Sequence, residues 1–448
     1  MEQATTQQAY SLFHQGTLAL ADVEANGMRV DVDRLDRTAN KVTARITKLE
    51  GKLKNDEVYQ TWRKRFGGKT QLGSRQQLGQ VLYGEMGFKS DNKTKTGRVQ
   101  VNESALEKVD HPFVKRYLEV EKLKKLKGTY LNGVKREVVD GLLHPSFNLH
   151  LVKTHRSSSD SPNFQNIPIR DKLIGKLIRS CFVAREGHQL VEVDYSALEF
   201  KIAACWWKDD AMVAYASDPT LDIHRDMAAE CYCLPVDEVP KDVRFFAKNQ
   251  FVFPELYGSY YVTCARNLWS VIESGGLKTK EGTPLDEHLL EQGIEQKDFE
   301  EHIEGVEEAF NDRFPTWSDR KEKWWNRYQR KGSFPLMTGF IISGVYSRNN
   351  LMNYPIQGPA FHCLLWSLIQ MNRWLKQKRM RTKIVGQIHD SIVADVHEDE
   401  LDDYLLLAKQ VMTESIRKAW DWIITPLAIE AEVSPPGGTW FDKREVLL

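Results

Sequence analysis

Two apolar, β-branched segments, far apart in the chain, each lead to a single aspartate. Residues 191–195 have the sequence Val-Glu-Val-Asp-Tyr and place Asp194 at the end of the run. Residues 383–396 contain two β-rich arms that meet at His389 and Asp390, a pattern typical of a hairpin. An aspartate at a strand end is more often a turn cap, so each segment alone is weak evidence. Two strand-borne aspartates, distant in sequence, are what a two-metal phosphoryl-transfer site needs, and the rest of the chain decides between that interpretation and two turn caps.

Further motifs follow one another along the chain. Residues 194–199 have the sequence Asp-Tyr-Ser-Ala-Leu-Glu, Arg244-Phe-Phe-Ala-Lys248 precedes Tyr257-Gly258, and residues 387–390 have the sequence Gln-Ile-His-Asp. In this order they resemble motifs A, B and C of family A DNA polymerases, the bacterial DNA polymerase I type. Accessory signatures of that family are similar to residues 23–31, 72–74, 93–97, 161–168 and 353–358. The resemblance extends from about Leu18 to Trp440, and phage members of the family look most similar.

The resemblance implies an α+β class and a right-hand polymerase fold, with an antiparallel palm sheet and a helical thumb and fingers. The expected boundaries are an N-terminal palm-associated segment at 1–34, a thumb at 35–142, a first palm part with motif A at 143–210, fingers with motif B at 211–345, and a second palm part with motif C at 346–448.

Charge is distributed unevenly although the net charge of the 448 residues is zero. Residues 41–140 contain 23 Lys and Arg against 12 Asp and Glu. This excess suits binding to a phosphate backbone through counterion release. Residues 281–312 contain 12 acidic residues and one Lys, which is typical of a solvated helical face.

The resemblance makes Asp194 and Asp390 the catalytic metal ligands. They are expected to hold two Mg²⁺ ions, for which Mn²⁺ can substitute. The family usually has Glu after the motif C aspartate, whereas this chain has Ser391. One carboxylate of the hairpin is therefore missing, and Ser391 is not expected to be a ligand.

The incoming nucleotide is expected to meet side chains of motifs A and B. Arg244 and Lys248 are four residues apart, so they project from one face of a helix and can meet a triphosphate together. By resemblance, His224 is a further phosphate contact, and Glu199 excludes a 2′-hydroxyl from the sugar site.

The aromatic position of motif B is ambiguous. Counted from Lys248 it falls at Val252, and counted back from Tyr257 it falls at Phe253, because one residue is inserted. Pro254 is expected to break or kink the helix there. Phe253 is the preferred residue for packing on the incoming nucleotide, and Tyr257 is expected near the template base. Both could instead be core aromatics.

A further group of polar residues is expected to bind primer-template DNA. Amides and arginine suit the minor groove, where every base pair presents acceptors, although Asn and Ser in loops also serve as caps. His389 is expected to brace the hairpin and the primer end. The full set is Arg156, Asn163, Gln165, Asn166, Asn353, Gln357, Gln387 and His389, together with Lys93 and Lys95 in a basic loop.

The sequence therefore predicts a template-directed DNA polymerase that uses dNTPs and serves DNA replication or repair, with a phage as the expected source. Alternatives are a single-subunit RNA polymerase, against which Glu199 argues, and a catalytically silent DNA-binding accessory protein. No 3′–5′ proofreading exonuclease is expected in this chain, so a separate exonuclease or a processivity factor is a candidate partner. The chain has neither a signal peptide nor a run of about 18 apolar residues, and we expect it in the cytoplasm, that of the host if a phage encodes it.

Overall fold

The computed structural model of the protein describes residues 4–89, 99–169 and 171–448. The chain forms two compact units. The larger unit comprises Met1–Met28, His144–Gln165 and Ala184–Leu448, and the smaller unit comprises Arg29–Leu143 and Asn166–Val183. The domain boundaries expected from the sequence stay predictions.

The smaller unit is mostly helical. Its longest helix, Val32–Lys54, begins at Asp31, whose carboxylate accepts a hydrogen bond from the backbone N–H of Arg34 at 2.8 Å. Such a cap satisfies one of the free donors at a helix start. The other α-helices are Glu57–Phe66, Arg75–Gly79, Glu103–Glu107, Pro112–Lys125, Asn132–Glu137 and Lys172–Arg179, with π-helical turns at Gln80–Glu85 and Leu126–Leu131, a 3₁₀ turn at Gly67–Lys69 and a hairpin of Val138–Val139 and Leu142–Leu143.

The larger unit is built on a five-stranded sheet in which all neighbouring strands are antiparallel. The strand His188–Tyr195 lies in the middle, and the hairpin strand Ser391–His397 beside it is buried over six of its seven residues. Apolar β-branched residues fit such a buried position. The predicted antiparallel sheet with both aspartates is therefore confirmed, and its strand order is Arg444–Val446, Ile429–Val433, His188–Tyr195, Ser391–His397 and Lys383–Ile388.

Helices pack around this sheet. The 30-residue helix Arg348–Gln377 lies against the helices Thr6–Asn26 and Leu198–Trp207. The remaining α-helices of the larger unit are Asp210–Ser217, Ile223–Tyr232, Lys241–Ala247, Phe253–Leu256, Tyr261–Gly275, Leu285–Glu291, Phe299–Arg313, Pro315–Lys331, Leu401–Lys409 and Ile416–Ala419, with π-helical turns at Lys248–Val252 and Gln410–Ser415 and two-stranded sheets of Ser146–Asn148 with Ser158–Asp160 and of Ser333–Pro335 with Ile341–Ser343. No helix in the described ranges has the length and apolar character needed to cross a membrane.

The acidic segment forms amphipathic helices, as its pattern predicts. The helix Phe299–Arg313 buries Phe299, Ile303, Val306 and Phe310, which follow a spacing of three and four residues. Most of its acidic side chains lie on the exposed side. This segment is therefore a solvated face of a packed helix.

A close contact constrains the hairpin strand Lys383–Ile388 at Gly386. A Cβ atom at Gly386 would lie 2.5 Å from the Cε1 atom of Phe164. The Phe164 ring is fully buried and stacks on Trp440 at a centroid distance of 5.3 Å. Only a glycine therefore lets this aromatic pair lie flat on the strand that leads to Asp390.

We expect Gly386→Ala to lower the free energy of unfolding by about 1–3 kcal/mol, because overpacking forces buried groups to shift. The control is Gly305→Ala. Gly305 lies inside the helix Phe299–Arg313 with open space around it, so alanine there should be neutral or stabilising by up to about 1 kcal/mol. Urea denaturation measures both variants. Equal stabilities would contradict the proposed constraint.

Candidate active site

The sheet register brings the two predicted catalytic aspartates together. Ser391 is the antiparallel partner of Asp194, so Asp390 lies beside the end of the central strand. The backbone N–H of Tyr195 donates to the carbonyl oxygen of Asp390 at 3.3 Å. Two carboxylates from distant parts of the chain therefore lie close together at the ends of two inner strands of the sheet.

This arrangement makes the ionised forms of both aspartates unfavourable. Surrounding protein desolvates Asp194 even though its side chain is open to solvent, and this desolvation, followed by repulsion from Asp390 and Glu192, raises its pKa to about 8. Burial also raises the pKa of Asp390, while Arg156 opposes that effect. A cation between the carboxylates would relieve the repulsion.

Glu199 is held between two other predicted site residues. Arg156 Nη2 lies 2.7 Å from Glu199 Oε1, and the hydroxyl of Tyr257 donates to Glu199 Oε2 at 2.6 Å. The same Arg156 nitrogen lies 3.7 Å from Asp390 Oδ1. Burial and the neighbouring Glu199 carboxylate raise the pKa of Tyr257 well above its ordinary value, so the phenol stays a donor. Motif A, motif B and the hairpin that carries Asp390 are thus joined through one carboxylate and one guanidinium.

Arg244, His224 and Lys248 are the nitrogen-bearing side chains expected to meet the triphosphate, and Arg244 is held by a carboxylate. Arg244 makes two hydrogen bonds to Asp222, at 2.5 and 3.1 Å. Asp222 also caps the helix Ile223–Tyr232 by accepting from the backbone of His224 at 3.0 Å. Arg244 is therefore anchored through Asp222, and the sequence analysis had not assigned this partner.

His224 is buried, and neither ring nitrogen has a hydrogen-bond partner among the described residues. Burial, with Lys248 and Arg244 nearby, lowers the pKa of His224 to about 3. The imidazole is therefore neutral at physiological pH and retains one N–H that can donate.

The motif B insertion is absorbed by a π-helical turn. The α-helix Lys241–Ala247 changes to a π-turn at Lys248–Val252, which accommodates the extra residue. Val252 is fully buried. The Phe253 ring lies 5.5 Å from the His224 ring and stacks on Tyr257 at 5.8 Å. Of the two alternatives, Phe253 is the one that the structure brings to the cluster.

Lys248 lies on the same side of this segment. Its Nζ is 5.3 Å from the centre of the Phe253 ring, and its charge, like that of Arg156, partly opposes the rise that burial causes in the pKa of Asp390. Pro254 occupies the second position of the short helix Phe253–Leu256, where a missing N–H costs little. The proline therefore marks the start of this helix, and the helix ends at Leu256.

The buried side chain of Gln387 connects the hairpin that carries Asp390 to the segment of Ser157 and Gln165; we call this set of hydrogen bonds the Gln387 bracket. Its Oε1 accepts from Ser157 at 2.7 Å and from Gln165 at 2.9 Å. Its Nε2 donates to the carbonyl of His389 at 2.8 Å. His389 itself is exposed and has a positive φ of 47°, and this backbone hydrogen bond helps hold that conformation.

The other predicted DNA-binding residues are less closely gathered. Asn353 lies on the helix Arg348–Gln377, and its Oδ1 is buried without a hydrogen-bond partner in the described residues. Gln357 contributes its carbonyl oxygen to Arg156 at 3.3 Å. Asn163 is an exposed loop residue, and Asn166 is exposed in the smaller unit. Lys93 and Lys95 lie outside the described residues.

The sequence analysis did not identify Glu192 as part of the site. Glu192 accepts hydrogen bonds from the hydroxyl of Ser391 at 2.9 Å and from Trp440 Nε1 at 3.0 Å, and it forms an ion pair with Lys443. It lies two residues before Asp194, hence on the same face of the strand. That spacing was the available signal.

The donor set suits a divalent cation. Asp390 Oδ1 is buried and lacks a hydrogen-bond partner within the described ranges, and carboxylate oxygens are the ligands that Mg²⁺ prefers. The described residues contain no group of three or more His, Cys, Asp or Glu side chains arranged for a metal. Asp194 and Asp390 contribute two carboxylates, and Mg²⁺ usually takes only one or two protein carboxylates together with substrate phosphates.

Known proteins are similar over nearly the whole chain. The match with the DNA polymerase family A model covers residues 33–440. DNA polymerase I of Pseudomonas aeruginosa is 28% identical over 94% of this chain and 43% of its own length. That of Bacillus subtilis is 29% identical over 95% and 45%, and the thermostable enzyme of Thermus aquaticus is 29% identical over 95% and 47%. The chain thus spans less than half the length of these curated relatives.

A solved structure is similar as well. The POL domain of Pol1 from M. smegmatis, in complex with DNA primer-template and dNTP, superposes with a TM-score of 0.73 at 25% identity, over 96% of this chain and 70% of that one. This similarity confirms the predicted α+β right-hand fold. These relatives are bacterial, so a phage source stays a prediction. Because the family match covers most of the chain, this protein belongs to DNA polymerase family A.

Proposed function

We propose that this chain is a template-directed DNA polymerase that extends a primer 3′-hydroxyl with dNTPs. The observation that carries the proposal is that Asp194 and Asp390 lie close together at one end of two inner strands of the sheet, with Arg156 3.7 Å from Asp390. Such a pair fits phosphoryl transfer, which depends mainly on positioning and charge neutralisation.

The residues of the chain divide the work between phosphate and sugar. Lys248 and the neutral N–H of His224 bind the triphosphate, and Arg244 joins them from its position on Asp222. Phe253 and Tyr257 offer stacked ring faces to the incoming base and the template. Glu199, fixed by Arg156 and Tyr257, fills the space of a 2′-hydroxyl.

Asp194 and Asp390 hold the metal in this proposal. Two Mg²⁺ ions, when bound, supply charge neutralisation at the reacting phosphates and a lowered pKa for the primer hydroxyl. Protein side chains orient the primer end through the Gln387 bracket and Arg156. A metal binds the ionised form of Asp194, whose pKa is raised to about 8. Protons therefore compete with the metal, and the metal affinity falls as the pH is lowered.

The wider setting is also proposed. The partners are primer-template DNA and dNTPs, with a separate exonuclease or processivity factor, and the place of action is the cytoplasm, that of a bacterial host if a phage encodes the chain. We expect no 3′–5′ exonuclease activity from this chain. Primer extension on a defined template, with each nucleotide omitted in turn, tests the function. Extension that ignores the template, or uses ribonucleotides in preference, would overturn it.

Asp194→Asn and Asp390→Asn should each reduce extension about a thousandfold, since loss of one ligand removes several kcal/mol of transition-state stabilisation. The matched control is Glu430→Gln. Glu430 is exposed and is the cross-strand partner of Asp194, so its replacement removes the same charge at the next strand. Single-turnover extension rates measure the effect. Similar losses in all three variants would show that loss of negative charge in this region, and not loss of a metal ligand, slows extension.

Glu199→Ala should raise incorporation of ribonucleotides relative to deoxyribonucleotides by about tenfold or more, because a steric and polar barrier to the hydroxyl is lost. Tyr257→Phe keeps the ring but removes the hydrogen bond to Glu199, so it should relax selectivity to a smaller degree. Single-nucleotide kinetics with each sugar give the ratio. Unchanged selectivity in Glu199→Ala would exclude the sugar-gate role.

His224→Gln should flatten the dependence of folding stability on pH. The folded-state pKa of about 3 lies below the ordinary value of 6.5, so the unfolded chain binds the proton first. Stability from the neutral ring is complete above about pH 6.5 and falls, by roughly 1.4 kcal/mol per pH unit, as the pH drops towards 3. Urea denaturation from pH 4.5 to 8 measures the slope. The exposed His14, changed to Gln, is the control, and an unchanged slope in His224→Gln would show a charged ring.

A further inference from the structure

The larger unit contains a cavity of about 730 Å³ away from the catalytic aspartates. Its wall includes Trp206 in the last turn of the helix Leu198–Trp207, whereas Glu199 lies in the first turn. A rise of about 1.5 Å per residue separates the two by roughly 10 Å along the helix axis. The cavity is therefore distinct from the site described above.

Aromatic rings dominate this cavity. Trp206 and Trp324 meet edge to face at 5.2 Å, and Trp324 meets Phe334 in the same way at 4.9 Å. Trp422 closes another part of the wall and stacks on Trp420 at 5.4 Å. The three tryptophans of the wall, Trp206, Trp324 and Trp422, are only partly buried.

Three cationic side chains also contribute to the wall. Lys208, Arg327 and Lys331 line the cavity and are exposed, while no Asp or Glu lines it. None of these three side chains has an ion-pair partner among the residues that the structure describes. The lining therefore carries positive charge without a lining carboxylate, and an anionic ligand would be attracted to the opening.

We propose that this cavity binds a short segment of single-stranded DNA. Single-strand sites combine ring faces on which bases stack with cations that meet the backbone, and nucleic acid carries a planar base and a phosphate at every residue. The volume falls in the usual range for sites of small organic groups, roughly 300–1,000 Å³. The proposal stands on this cavity alone and holds whether or not the chain extends primers.

A site-resolved experiment tests the proposal. The whole chain is irradiated with ultraviolet light in the presence of a dT oligonucleotide, and cross-linked peptides are identified by mass spectrometry. We expect cross-links on peptides containing Trp422 and Trp206. An oligonucleotide with abasic residues in place of dT should bind the cavity about fivefold or more weakly, the loss expected for a single stacked base.

The cations are tested by charge reversal. Arg327→Glu with Lys331→Glu should lower cross-linking at Trp422 about tenfold and reduce the salt slope of oligonucleotide binding by about 1.4, or about 0.7 per phosphate contact. Lys323→Glu with Arg330→Glu is the matched control, because these residues lie on the same helix Pro315–Lys331 but outside the cavity. Thermal unfolding checks that both double variants keep the wild-type fold.

Four outcomes would overturn the proposal. Cross-links that occur only outside the cavity, or that fall equally in both double variants, would exclude DNA from it. Equal binding of abasic and dT oligonucleotides would show that the rings do not stack on bases. Displacement of the dT oligonucleotide from the cavity by a polyglutamate peptide at equal concentration would identify a site for acidic protein segments.

Discussion

The antiparallel pairing of Asp194 with Ser391 is the contact on which the site depends. A shift of one residue in that register would turn every side chain of the strand to the other face of the sheet. Buried apolar residues on both strands exclude such a shift, because it would expose them. The packing of the sheet core therefore fixes the relative positions of the two carboxylates.

That placement has an electrostatic cost. Burial is the largest cause of the raised pKa of both aspartates, and the Asp390 carboxylate further raises the pKa of Asp194. Arg156 reduces the cost, but it also contacts Glu199 at 2.7 Å. The guanidinium is therefore shared between Asp390, a proposed metal ligand, and Glu199, the proposed sugar gate.

The family resemblance was sufficient to predict the antiparallel sheet, because the motifs around Asp194 and Asp390 are local sequence signals that can be recognised without knowing the fold. The register of motif B was ambiguous, because a π-helical turn at Lys248–Val252 leaves the residue composition of a helix unchanged. Only the packing of Val252 in the core and of Phe253 against His224 distinguishes the two alternatives. The hydrogen bond from Arg244 to Asp222 could not be predicted from the sequence either. Charged side chains of both kinds are equally common on solvent-exposed surfaces, where they need no partner.

Ser391 shows how the missing carboxylate is accommodated. Its hydroxyl donates to Glu192, whose carboxylate also binds Trp440 and Lys443. A glutamate at position 391, as the family usually has, would place a second negative charge beside Glu192 and Asp194. Serine instead supplies a donor, so Glu192 is held and partly neutralised by Lys443. Glu192 is thus committed to structure and is not a free replacement ligand. The proposed chemistry therefore relies on Asp194 and Asp390, and a bound cation would favour the ionised forms that burial disfavours.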